Sequence, residues 1–555
     1  MSDEPKHECG VAMVVLRKPP SAAGDFGGTK LSLLLEKQHN RGQDGAGAAI
    51  LCADPAPGSP PYWTAKSASS TPLADVLGAI GRRDRAAGER IFLGHLRYAT
   101  FGRNDTAFCH PFVHEASDLG HTLLLAGNFN LTNAHALFDD YSRHGSFPTS
   151  RADGYLICEL IAHELQRRPL AAAIPKALEG ADGAWTLCGA TGDGWAFAVR
   201  DPHGIRPGWY LVSDDVVAVA SERPAIQAAF DVPPEAVKEL PPAAALIVSP
   251  DGNVQMAELD SALKAPPRPC SFERIYFSRA NDAAIHRERK TLGAALLPQI
   301  LKAAGVPPED IFFSYIPNSA RIAFHGLLER LFEGRGKVRF GEVIVKDAKF
   351  RTFIADAAAR REFYKHVYDV TYGLVRPGKD TLVVLDDSIV RGNTMKNAIL
   401  PMLDRLGPRR IVIASSAPPI RYPDCYGIDM SNLGELVAFR ALVNLLGPSA
   451  EPALRHALGE RAARLRNPLA PLYARFAPGR HAAEIARLLA PPGMKAEVKV
   501  VYQTTGNLRR CLAAADGRRA IGDWYFTGDY PTPGGYRVLR QAIMNYLEHR
   551  NERSY

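Results

Sequence analysis

The sequence lacks any apolar stretch approaching the roughly 20 residues needed to span a bilayer, and its start, M-S-D-E-P-K-H-E, lacks the apolar core of a signal peptide. Neither a membrane span nor a secretory route is expected, and the cytoplasm is. The eight cysteines, at positions 9, 52, 109, 158, 188, 270, 425 and 511, show no tight spacing. That argues against a disulfide framework and for reduced thiols, most of them small buried apolar residues. No Lys/Arg run exceeds a few residues, so a formal charge of +8 spread over 555 residues leaves no nucleic-acid footprint. Anionic phosphate substrates are a sufficient use for the excess. No internal repeat or low-complexity tract signals a solenoid.

What is present is enough chain for two or three domains, each with its own core. Hydrophobic residues at 46% and charged residues at 23% are ordinary for a globular protein. From Cys9 to about Leu263, short β-like runs (Gly10 to Leu16, Val216 to Ala220) alternate with helical stretches such as Ala152 to Gln166. Three prolines in Lys264-Ala-Pro-Pro-Arg-Pro-Cys270 break helix and strand alike and mark a boundary. From Ile311 to about Leu433, strand-like runs (Ile311 to Ile316, Val338 to Val345, Thr381 to Leu385, Arg410 to Ala414) alternate with helical segments. This is the pattern of a doubly wound parallel sheet. The expected division is 9–265, 270–440 and a helical, then aromatic, extension over 441–555.

The most telling segment is V-V-L-D-D-S-I-V-R-G-N-T, Val383 to Thr394. A continuous aliphatic run fits a strand buried on both faces, and ligands of open α/β sheets collect at the carboxyl ends of such strands. Asp386 and Asp387 fall at that end, positioned to face sugar hydroxyls or a magnesium ion. Ser388, Val390, Arg391, Gly392, Asn393 and Thr394 follow, where backbone N–H groups and hydroxyls can wrap a phosphate ahead of a helix over Met395 to Leu403. A lone pair of acids would more often be a solvated turn, but acids, glycine and threonine in this order after a buried strand point to a phosphorylated ribose. The segment resembles the phosphoribosyl pyrophosphate (PRPP) motif of the type I phosphoribosyltransferases, a superfamily that includes both enzymes and PRPP-sensing regulators.

Cys9 stands before a small residue and a strand, Gly10-Val11-Ala12. Alone it would be one more core thiol. Its company is Arg41-Gly42-Gln43-Asp44-Gly45, Gly94-His95-Leu96-Arg97-Tyr98-Ala99-Thr100, Gly127-Asn128-Phe129-Asn130 and Asp153. These elements resemble, in order and spacing, the class II glutamine amidotransferases, whose amino-terminal cysteine attacks the amide of glutamine. A free amino acid needs a fork-shaped cation and an acid, which Arg97 and Asp153 supply. Arg41 is assigned with them, with a salt-bridged scaffold as the alternative. Asn128 and the N–H of Phe129 are the oxyanion donors. Phe129 stands where the family usually has glycine, so a positive φ there would be costly. The resemblance also implies removal of a leader, Met1 to Glu8, to free the Cys9 amine as general base.

A glutaminase half before a PRPP motif resembles the amidophosphoribosyltransferases. So do Arg200-Asp201-Pro202-His203-Gly204-Ile205-Arg206-Pro207, Cys270 to Arg279 and Tyr426 to Met430. The resemblance implies an N-terminal-nucleophile αββα glutaminase domain joined to a type I phosphoribosyltransferase domain. Ammonia made at Cys9 would attack C1 of PRPP and displace pyrophosphate, giving 5-phosphoribosylamine, the first step of de novo purine biosynthesis. It further implies magnesium at Asp386 and Asp387, and Lys346 and Arg351 over the pyrophosphate. Purine nucleotides as feedback inhibitors and a homo-oligomer complete the picture. Some relatives carry a four-cysteine iron–sulfur cluster. Here Cys270 matches the first ligand position, Cys425 is offset by one residue and Cys511 stands alone, so no cluster is expected. A sugar-phosphate aminotransferase and a PRPP-sensing regulator remain the competing readings.

Overall fold

The computed structural model describes all residues except 1–7, 19–24, 53–54, 56–57, 59, 87, 99–104, 144–148, 151, 260–264, 335–336, 347–367, 460–465, 514–519, 551 and 555. Two antiparallel sheets form the first half. One has seven strands, with Gly10–Leu16 at its centre between Val216–Ala220 and Glu89–Arg97. The other has six, with Leu123–Leu131 paired to Gly183–Thr191 over its whole length. Alternation along the strands sends Val11, Met13 and Val15 from one sheet and Leu124 and Ala126 from the other into a shared buried layer. The opposite faces are covered by helices. Phe26–Lys37, Pro72–Arg82 and Arg223–Phe230 lie on the larger sheet, and Asp153–Leu165 and Leu170–Ala177 on the smaller. The result is the expected four-layer αββα arrangement.

The second half is built on a five-stranded parallel sheet in the order Arg339–Phe340, Ile311–Tyr315, Thr381–Asp386, Arg410–Ser415, Glu497–Tyr502. Leu382 and Val384 face one helical layer and Val383 and Leu385 the other, which is why Thr381–Asp386 reads as an unbroken apolar run. Two features depart from the sequence reading. The run Val338 to Val345 is split: Arg339–Phe340 joins the sheet, while Ile344–Lys346 pairs with Tyr368–Val370 as a separate two-stranded unit. The segment read as a helical and aromatic extension supplies the fifth strand, because Glu497–Tyr502 carries enough β-branched residues to pair with Arg410–Ser415. All eight cysteines are thiols. Among the described residues no helix is long and apolar enough to cross a membrane.

The halves are locked by a buried ionic knot. Arg41, fully buried, pairs with Glu222 at 2.9 Å and with Glu273 at 2.7 Å, and Glu8 pairs with Arg206 beside it. Further along, Asp182 accepts from Thr132 Oγ1 (2.6 Å), Thr532 Oγ1 (2.5 Å) and the Gly534 N–H (2.7 Å). That carboxylate docks the helix Pro533–Leu547 against the first half.

Candidate functional site

Cys9 immediately precedes the central strand Gly10–Leu16, and the register Gly10↔Leu96 sets it beside the end of Glu89–Arg97. Its Sγ accepts the Tyr98 N–H at 3.3 Å. Burial pushes the thiol up to about 11, against the opposing effects of the Tyr98 N–H and the Arg97 guanidinium. At neutral pH this thiol is protonated, and it would need a base to act as a nucleophile. A cavity of about 700 Å³ opens next to it, with Arg97, Phe129, Asp153 and, from the far end of the chain, Arg537 and Arg553 in its wall.

Parity along the strands decides which way each side chain near the cavity points. Arg97 lies on the same strand face as Leu93 and Ile91, and Asn128 on that of Ala126 and Leu124; both sets belong to the layer between the sheets, as do the odd-numbered residues that follow Cys9. The Asn128 Nδ2 is buried without a hydrogen-bond partner among the described residues, and Asn128 itself lies behind the cavity wall formed by Gly127, Phe129 and Asn130. Phe129 points to the other face. Its ring stacks on His110 (5.4 Å) and lies where a side chain at Gly154 would be. Its backbone is ordinary strand, paired with Trp185 and outside the positive-φ region, so the substitution for glycine carries no left-handed strain.

Asp153 opens the helix Asp153–Leu165 and accepts the Gly154 N–H at 3.0 Å. Burial raises its carboxyl to about 6. Arg41, expected against the glutamine, takes the scaffold role instead: its guanidinium is spent on Glu222 and Glu273, and it is absent from the cavity wall. The reason is long-range, since both acids lie more than 180 residues away.

Two histidines escaped the sequence reading. His95 and His110 stack face to face at 3.9 Å, both pushed down and kept neutral by burial, His95 to about 3. His110 Nδ1 accepts the Gly127 N–H at 3.2 Å and so fixes the strand that carries Asn128. His95 stood inside a quoted motif without a role; His110 had no signal of its own.

At the carboxyl end of Thr381–Asp386 lies a second, smaller cavity of about 70 Å³, lined by Tyr276, Ser319, Asp386, Asp387, Ser388 and Thr394 among others. The diacid is preset: the Asp387 N–H donates to Asp386 Oδ1 and Ser388 Oγ to Asp387 Oδ1, each at 2.9 Å. The Asp387 carbonyl accepts from Ser416 Oγ (3.1 Å) and the Ala417 N–H (2.9 Å) on the neighbouring strand's exit. Gly392 also lines the cavity, with φ of +79°, and a Cβ there would lie 2.2 Å from Leu489. Val390 contributes to the wall while its carbonyl accepts the Val437 N–H at 2.9 Å.

Not every loop residue faces the cavity. Arg391 is buried on the far side of the loop against Glu435 (2.6 Å) and the Asp429 carbonyl (2.9 Å), and Asn393 is exposed. Lys346 Nζ lies 5.9 Å from the ring of Tyr368, itself in the cavity wall. Arg351 lies outside the described residues. Asp386 and Asp387 are hard oxygen donors suited to magnesium, but among the described residues no three His, Cys, Asp or Glu side chains cluster as a metal cage. A cation here would need oxygens from its substrate to complete its shell. Elsewhere, Cys270 Sγ lies 3.2 Å from the Tyr525 hydroxyl, and Asp424, beside Cys425, accepts Trp524 Nε1 at 3.0 Å. Cys270, Cys425 and Cys511 share one core with these aromatics.

No protein-family model matches the chain. Among curated proteins, the amidophosphoribosyltransferase of Bacillus subtilis is 31% identical over 414 residues, covering 73% of this chain and 79% of that protein. That of Pseudomonas aeruginosa is 31% identical over 368 residues, covering 63% and 70%. The chloroplastic amidophosphoribosyltransferase 2 of Arabidopsis thaliana is 29% identical over 458 residues, covering 80% and 73%. Of solved structures, the B. subtilis glutamine PRPP amidotransferase complexed with ADP and GMP superposes with a TM-score of 0.68 at 24% identity, covering 94% of this chain and 97% of that one. A structure described as the allosteric regulatory enzyme of purine biosynthesis gives 0.69 at 25%, covering 94% and 96%.

Proposed function

The chain belongs to the amidophosphoribosyltransferase family, the transferases of the first step of purine biosynthesis, and we propose on that premise that Cys9 and the Asp386–Asp387 loop are its two reaction centres. Glutamine enters the larger cavity with its α-carboxylate on Arg97 and its ammonium on Asp153. Cys9 attacks the amide carbon, and the oxyanion that forms is met by Asn128 Nδ2 and the Phe129 N–H. The base is the Cys9 α-amine, freed by removal of Met1 to Glu8. An amine titrating near pH ~8 can take the thiol proton that burial otherwise retains.

Ammonia released there attacks C1 of PRPP in the smaller cavity, and pyrophosphate departs. Asp386 and Asp387 lie beneath the ribose, where carboxylates favour the positive charge that develops on the sugar. The loop 388–394 holds the 5-phosphate with N–H groups and the hydroxyls of Ser388 and Thr394. Lys346 and Arg351 balance the departing pyrophosphate. Magnesium, held by Asp386 and Asp387 together with substrate oxygens, would neutralise charge on the leaving group. For Cys270, Cys425 and Cys511 we read a structural role in the aromatic core. Purine nucleotides as regulators, a homo-oligomer and a cytoplasmic location belong to the same proposal.

The observation that carries this reading is the meeting of Cys9, Arg97 and Asp153 on one cavity in a chain that also holds a preset diacid loop. Pyrophosphate release from PRPP, measured with glutamine and with ammonium, tests it. Cys9→Ala should abolish the glutamine-dependent rate and retain the ammonium-dependent one; equal loss of both would refute the division of labour.

A further inference from the structure

His110 stands where the two sheets of the first half meet beside Cys9, and it lines the cavity there together with His95 and Gly127. On one side, the strand Phe112–His114 pairs with Leu123–Leu131 only as far as Phe112↔Leu125. Pro111 has no N–H with which to extend that ladder. Continued two residues, the register sets His110 opposite Gly127, and its Nδ1 takes the Gly127 N–H at 3.2 Å in place of a backbone carbonyl. On the other side, the His110 carbonyl fills the place that a Cβ at Gly47 would need, and its ring stacks on His95 at 3.9 Å with the planes 13° apart. His95 pairs in register with Gly47 and with Val11, the second residue after Cys9. One side chain and its carbonyl thus fasten the sheet that carries the thiol to the strand that carries Asn128 and Phe129.

We infer that His110 is a positioning residue: it sets the separation between the Cys9 strand and the segment Gly127 to Phe129, and the acceptor it offers Gly127 holds the oxyanion donors in place for glutamine hydrolysis. The inference rests on the function proposed above. A donor to an oxyanion acts only once the tetrahedral intermediate forms, so displacing it lowers kcat and leaves ground-state binding alone. Gly127 is the residue before Asn128. With no acceptor opposite it, its N–H is a buried donor left unpaired, and the segment moves to find another partner. The ring of His110 also packs on Phe129 at 5.4 Å, so the residue in the place of the family's usual glycine is held by the same side chain. Accepting at Nδ1 requires the neutral ring, with its proton on Nε2. Burial, with His95, Lys66 and Arg97 nearby, holds His110 well below its ordinary value, so the neutral form persists at neutral pH.

The experiment separates the two contacts in the full chain. His110→Phe keeps a ring to stack and offers no acceptor, whereas His110→Asn puts an amide oxygen close to the place of Nδ1 and offers no ring. KM and kcat are measured for glutamine hydrolysis, and PRPP turnover with ammonium. His110→Phe should lower kcat for glutamine about 10- to 100-fold with KM within about twofold, the cost of donors displaced from their place, and leave ammonium-dependent turnover as it was. His110→Asn should stay within about threefold of the parent kcat, because the acceptor is restored. A parent-like kcat in His110→Phe overturns the inference, as does a rise in KM alone or a His110→Asn as slow as His110→Phe. An equal fall in glutamine- and ammonium-dependent turnover also overturns it, by marking a merely structural role. Should His110→Phe not fold, His110→Ala against His110→Asn makes the same comparison of acceptor lost and acceptor kept. If the unaltered chain turns over PRPP with neither donor, the functional reading itself fails and takes this inference with it. Any of the other adverse results in an active enzyme removes only the inference.

Discussion

The side-chain amide of Asn130 donates to the Cys425 carbonyl at 2.7 Å, joining residues 295 apart in sequence and belonging to opposite halves of the molecule. Two residues earlier, Asn128 keeps its amide nitrogen unpartnered in a buried place. Two asparagines of one strand thus have different tasks. One holds the halves together and the other is the oxyanion donor of the proposed function.

Asn128→Ala should lower kcat for glutamine about 10² to 10³-fold, the cost of one oxyanion donor, with ammonium-dependent turnover retained. Asn130→Ala should instead cost about 1 kcal/mol of stability. It should also let ammonia escape, seen as glutamate formed in excess of phosphoribosylamine. Steady-state assays of both products distinguish the two, and the same phenotype in both variants would contradict the assignment.

With Glu8 still attached, Cys9 titrates at about 11 and is the thiolate in roughly one molecule in a thousand at pH 8. Glutamine hydrolysis by such a chain should climb about tenfold per pH unit between 7 and 9. A chain beginning at Cys9 should level off near pH ~8, where its amine loses its proton. Paired pH–rate profiles with intact-mass analysis check this, and superposable profiles would argue against the amine as base.

Asp153 should impose an acid limb. Its folded pKa of about 6 exceeds its ordinary value of 3.8 because burial disfavours the charge. Protonation removes the partner of the substrate ammonium, so KM for glutamine should rise as pH falls below about 6. For stability the sign is opposite to that of a salt-bridged acid. The native state holds this proton more tightly than the unfolded chain, so its contribution is full below about pH 4 and is lost as pH rises through 6. Asp153→Asn should therefore lose glutamine-dependent activity while melting higher than the parent at pH 7, and a lower melting temperature would speak against a buried charge there.

Removing the Arg41 guanidinium leaves Glu222 and Glu273 buried without their shared cation. Arg41→Ala should cost about 3–5 kcal/mol of stability, read as a fall in denaturant midpoint. A stable variant changed only in KM for glutamine would restore Arg41 to the substrate site.

Gly392 is constrained twice, by φ of +79° and by Leu489 at 2.2 Å from where a Cβ would stand. Gly392→Ala should raise KM for PRPP and destabilise by about 1–3 kcal/mol from backbone strain and overpacking. Adding Leu489→Ala should relieve the steric part and leave the strain, so the double variant should recover KM only in part. Full recovery would assign the whole effect to packing.

The sequence by itself determined the elements whose cause is local. Gly10–Leu16, Val216–Ala220 and Thr381–Asp386 are written in β-branched runs flanked by breakers, and the diacid loop in the order of acids, glycine and threonine. Cys9 and Arg97 could be named as candidates because each sits in a short motif, and Asp153 because it follows those motifs in the order the resemblance implies. Tertiary structure alone decided the rest: that Arg41 serves two distant acids, that Glu497–Tyr502 completes a sheet begun near residue 311, that His110 props the Asn128 strand, and that Arg553 reaches the cavity beside Cys9. The physical reason is range. Periodicity and turn chemistry report on neighbours a few residues away, whereas an ion pair or a strand pairing across hundreds of residues exists only once the layers have stacked and brought its partners together.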